Sequence, residues 1–113
     1  MAPSTINVVV FRQSDRWVAQ CIEVNIAVSA ERQPDLLRVL TRRIQGQILV
    51  DTRKGIEPLS RLGPANPRYS TMLERATPLK SVLVPRTFKA RLLGLRRGFE
   101  WPAQRLNLAA VRV

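Results

Sequence analysis

Two apolar, β-rich runs separated by a short polar turn constrain this chain more than any other feature of its sequence. Residues 6–11 are apolar and largely β-branched except for Asn7, Gln13-Ser14-Asp15-Arg16 is polar, and Trp17-Val18-Ala19-Gln20-Cys21-Ile22-Glu23-Val24 is a second apolar run. That pattern predicts a β-hairpin. Alternation places Trp17, Ala19, Cys21 and Glu23 on one face of the second strand and Val18, Gln20, Ile22 and Val24 on the other, without deciding which face is core. A third short alternating run over 25–30, with Ile26 and Val28 against Ala27 and Ser29, makes three antiparallel strands the expectation.

Pro34 and Asp35 then suit the first turn of a helix, because proline loses no hydrogen bond there and a carboxylate is favoured at a helix N-terminus. Leu37, Leu40, Ile44 and Ile48 recur at helical spacing while Arg38, Arg42, Arg43 and Gln45 fall elsewhere, so an apolar stripe should face the sheet. Gly46 costs about 1 kcal/mol relative to alanine inside a helix, which suggests a close approach at that point. The helix should end near Arg53, with Gly55 in a left-handed cap. Proline and glycine at 58, 63, 64 and 67 forbid a long regular element over 56–66. A short helix is expected over 69–76. Beyond Pro78, residues 81–84 suit a strand, 87–97 a helix, and 107–113 either a strand or a helix. The predicted fold class is α+β: a small antiparallel sheet of three to four strands on one main helix, in the order β-β-β-α-β.

A chain of 113 residues has room for one hydrophobic core. Lys and Arg number 19 against 8 acidic residues, and the resulting charge of +11 favours anionic partners. The longest apolar runs fall far short of the roughly 18 residues that span a bilayer, and Met1-Ala2-Pro3-Ser4-Thr5 does not read as the start of a signal peptide. A cytoplasmic protein without a membrane partner is expected. One cysteine, Cys21, suits a reducing compartment and, in an apolar strand, a structural thiol.

No histidine occurs, which removes the commonest general base and metal ligand together. Carboxylates are scattered singly, with Glu23 the only one on a strand that could line a pocket, and no glycine-rich phosphate loop is present. These features predict no catalytic residues, no metal and no cofactor.

Arg16-Trp17-Val18-Ala19-Gln20-Cys21-Ile22-Glu23 followed by Gln33-Pro34-Asp35 resembles the second strand and helix start of the HicB-like antitoxin domain. The likeness continues through Gly46-Gln47-Ile48, Gly55-Ile56-Glu57-Pro58-Leu59 and Gly63-Pro64-Ala65 to Tyr69, covering about residues 5–77. The chain departs from the family's commonest pattern in having Val24-Asn25-Ile26, without proline or glycine, between the second and third strands. The resemblance implies a degenerate RNase H-like core without catalysis. It also implies a protein that covers the active site of a small RNA-cleaving toxin and often represses its own operon through a C-terminal DNA-binding part.

On this reading residues 5–77 form the HicB-like domain and 78–113 a basic C-terminal extension. Between Arg75 and Arg97 there are seven basic residues and no acidic one. Arg86, Lys89, Arg91, Arg96 and Arg97 are therefore the candidate contacts to nucleic acid or to a protein partner. A strand over 80–85 with helices over 86–97 and 103–113 would form the ribbon-helix-helix of many HicB-like proteins, which acts only as a homodimer. A closing strand fits 109–113 equally well. Binding of DNA or RNA through this basic third is the alternative to toxin binding.

Overall fold

The computed structural model describes residues 4–84 and 104–111. Its elements are β1 (Thr5–Gln13), β2 (Arg16–Cys21), β3 (Ala27–Ala30), α1 (Leu36–Arg53), α2 (Pro67–Glu74), β4 (Thr77–Leu83) and β5 (Arg105–Ala110), with a 3-10 turn at Gln33–Asp35 leading into α1. The strands form one sheet in the order β3-β2-β1-β5-β4.

The hairpin and third strand form as the alternation predicts, with Val10 opposite Ala19, Val8 opposite Cys21 and Ala19 opposite Val28. The remainder of the sheet differs from expectation. β5 lies between β1 and β4, parallel to β1 with Ile6 opposite Leu106, and antiparallel to β4 with Val82 opposite Leu106. The sheet is therefore mixed and five-stranded, where an antiparallel sheet of three to four strands was expected. The physical reason lies in Leu106, Leu108 and Ala110, whose period of two continues the core face of β1. Over Arg105–Ala110 the chain is a strand, not the second helix of a ribbon-helix-helix. β4 begins at Thr77 and bridges the expected boundary between 5–77 and 78–113.

One sheet face carries the core: Ile6, Val8, Val10, Ala19, Cys21, Leu106 and Leu108 meet Leu36, Leu40, Ile44 and Ile48 of α1. The helix stripe thus starts at Leu36, four residues before Leu40. Leu37, one position round the helix, is only partly buried. Each fully buried leucine or isoleucine contributes about 1.5–3 kcal/mol of transfer free energy. On the opposite face Val9 and Phe11 are covered by α2, where the rings of Phe11 and Tyr69 stack with centroids 5.9 Å apart.

One turn is closed by unexpected means and another as expected. Gln20, 4% exposed, sends its Nε2 to the Cys21 carbonyl at 2.9 Å and to Asn25 Oδ1 at 3.2 Å, clamping the turn that lacks proline and glycine. Gly55 takes φ +70°, as a left-handed cap requires. Gly46, by contrast, has open space where a Cβ would stand, so no close approach explains it.

Candidate functional site

Among the described elements, α1 packs on β2 and β3 with its core side chains reaching β1, and leaves part of the same sheet face open over β5 and β4. There a cavity of about 260 Å³ lies between the start of α1 and the outer strands, lined by Val10, Gln33, Pro34, Leu36, Leu37, Leu79, Lys80 and Leu108. It shares Gln33 and Leu79 with a wider depression of about 550 Å³ that reaches Arg12, Trp17, Thr77 and Ala110. Together they form a groove with an apolar floor and cationic ends. None of the described residues lining it is acidic.

The hairpin end of the groove carries an arginine on an aromatic ring: the Arg12 guanidinium lies 5.7 Å from the centre of Trp17. A second such pair, Arg68 over Tyr69 at 4.7 Å, lies on the other sheet face. Both aromatics are half-buried packing groups, so each arginine is held over a fixed ring while its outer edge stays in water.

Among the described strands, β4 forms the outer edge of the sheet on this side. The Val84 N–H donates to the Gln104 carbonyl at 2.9 Å, so Val84 and Gln104 are a hydrogen-bonded antiparallel pair. Because such pairs alternate along a ladder, Val82 also turns its backbone groups to β5, while Ser81 and Leu83 turn theirs outward. The opposite side of β5 agrees, since Arg105 N–H donates to the Ser4 carbonyl and Val111 N–H to the Val10 carbonyl. Leu79 and Leu83 of β4 are 47% and 58% exposed, two of the three large apolar side chains standing most open among the described residues.

Glu23, Asp51 and Cys21 are each engaged in holding the fold. Glu23 accepts hydrogen bonds from the backbone N–H of Asn7 at 2.6 Å and from its Nδ2 at 2.8 Å, continuing the ladder beyond the end of β2. Asp51 accepts from Gln47 Nε2 and from the Leu59 N–H. Cys21 is fully buried, and burial, reinforced by the Glu23 carboxylate, pushes its thiol up to about 12. Among the described residues no three His, Cys, Asp or Glu side chains gather where a metal ion would fit, and no helix is long and apolar enough to cross a membrane.

The candidate contacts Arg86, Lys89, Arg91, Arg96 and Arg97 lie outside the described residues. Of the basic stretch, Arg75 stands exposed at the C-terminus of α2 and Lys80 lines the groove. Sequence reasoning did not bring Arg12, Gln33 and Leu79 together, because the parallel insertion of β5 is what sets β4 beside the start of α1. Leu37, expected on the core stripe, instead lines the cavity beside it. Comparison of the chain with protein-family models, curated proteins and solved structures found no match.

Proposed function

We propose that this chain is a non-catalytic binding protein of the HicB-like antitoxin type, which covers a small RNase toxin. The observation that carries the binding reading is the groove beside β4: apolar floor, open strand edge, cationic rim and no carboxylate among its described lining residues. Such a surface suits capture of a partner, while Glu23, Asp51 and Cys21 serve the fold. The order of β1, β2, β3 and α1 is the order the resemblance implies, and it supports assigning the toxin-binding role. Autoregulation of an operon by a homodimer is a further element of this proposal, and it rests on the basic residues between β4 and β5.

A second reading, nucleic-acid binding, is favoured by the two arginine-on-aromatic pairs, since stacked rings beside guanidinium groups suit bases and phosphates. Salt separates the two. Gel filtration of the chain with a candidate small RNase toxin, at low and at moderate salt, is expected to give a complex at both, because an apolar interface resists screening. Binding to duplex DNA or single-stranded RNA that vanishes at moderate salt, with no protein complex, supports the second reading and overturns the first.

A further inference from the structure

The β4 edge and the groove combine features that point to one kind of occupant. Ser81 and Leu83 present outward backbone donors and acceptors, a row that another extended chain satisfies by pairing. Beside that row, Leu37, Leu79 and Leu108 surround a cavity of about 260 Å³, the size for a side chain rather than for a helix. Lys80 stands on β4 itself, Arg105 donates to Ser81 Oγ from β5, and Arg12 closes the far end.

We infer that β4 and its groove dock an extended acidic segment of a partner protein, which adds to the sheet as a sixth strand and seats one large apolar side chain beside Leu37 and Leu79. This deepens the binding reading above and rests on it. Strand addition supplies affinity through main-chain hydrogen bonds, while a pocket for an alternate side chain supplies selectivity. Charge selects the occupant. A second copy of this chain brings another +11 to a face that already carries Lys80, so self-pairing is opposed. Pro78 and the bulge between Pro78 and Lys80 blunt the start of the edge and leave the pairing stretch to Ser81 and Leu83. A nucleic acid meets the charge but offers neither strand backbone nor an apolar side chain for the cavity.

The test is selection of a random peptide display library on the immobilised full-length chain at moderate salt. Enriched peptides are expected to be net acidic with one large apolar residue. A synthetic copy of the leading peptide, followed by fluorescence anisotropy, should lose at least about tenfold in affinity on Ser81→Pro and on Leu79→Glu. Lys80→Glu should abolish the preference for acidic sequences. Proline is tolerated on an edge strand where its N–H faced solvent. Circular dichroism confirms that each variant folds. No enrichment, enrichment of basic peptides, or unchanged affinity in the three variants overturns the inference, as does displacement of the peptide by single-stranded RNA. A toxin complex that forms equally well with Ser81→Pro and Leu79→Glu also overturns it, and leaves the binding reading standing.

Discussion

Asp51, near the end of α1, accepts a hydrogen bond from the Leu59 backbone N–H at 2.8 Å, and Leu59 is held there at φ +65° with its side chain buried in the core. A leucine in the left-handed region is strained, so the carboxylate and the core together fix the loop that leaves the helix. The Ile56 N–H donates to the Asp51 carbonyl at 2.8 Å, which ties the same residue to the loop twice.

Asp51→Ala therefore removes the acceptor for a buried N–H and should destabilise the protein by about 1–3 kcal/mol. Urea denaturation measures it. A loss below about 0.5 kcal/mol, the level of an ordinary surface change, would mean that the loop is held by Leu59 packing alone.

Gly46 gives a prediction of opposite sign. A Cβ there meets nothing within 4 Å, and the residue lies inside α1. Gly46→Ala should stabilise the chain by about 0.5–1 kcal/mol, since alanine gains helix propensity and restricts the unfolded chain. An increase in the urea midpoint confirms it, and a decrease shows that the position needs to stay open.

Cys21 should be inert in the native protein and react with thiol reagents only on unfolding, because burial raises its thiol from 9.0 to about 12. The unfolded thiol ionises first as pH rises. Its contribution to stability is thus intact below about 9 and is lost between there and about 12. The stability difference between wild type and Cys21→Ala should accordingly shrink as pH is raised through that window, and a difference independent of pH would contradict the assigned burial.

Leu106, fully buried in β5, lies between Ile6 of β1 and Val82 of β4. Leu106→Ala should cost about 2–5 kcal/mol, and a chain cut before β4 should lose its circular dichroism signature of a folded sheet. A stable truncated chain would show that β1 to β3 and α1 fold without β5.

The first half of the fold was legible because its signals are local. Residues 6–24 alternate about a polar turn, and Leu40, Ile44 and Ile48 recur at four-residue spacing between Pro34 and Gly55, although the stripe begins at Leu36 and not at the expected Leu37. β5 was ambiguous for the opposite reason: six residues with only three core-facing positions fit a strand or a helix, and the choice is made by pairing with β1, far away in sequence. The turn after β2 looked unsupported without proline or glycine, yet the Gln20 side chain closes it from inside, a contact within six residues that turn propensities do not announce. The groove was illegible for the same reason as β5, since Leu37, Leu79 and Arg12 become neighbours only once the sheet has its fifth strand.

The central claim is that this protein binds a toxin and performs no chemistry, and it is tested most directly by titration. Cleavage of a labelled RNA by a candidate small RNase toxin is followed while purified chain is added. Stoichiometric inhibition that persists at moderate salt, with no cleavage by the chain alone, is the predicted result. Cleavage that continues unchanged at excess chain, or RNA cut by the chain itself, would contradict the account.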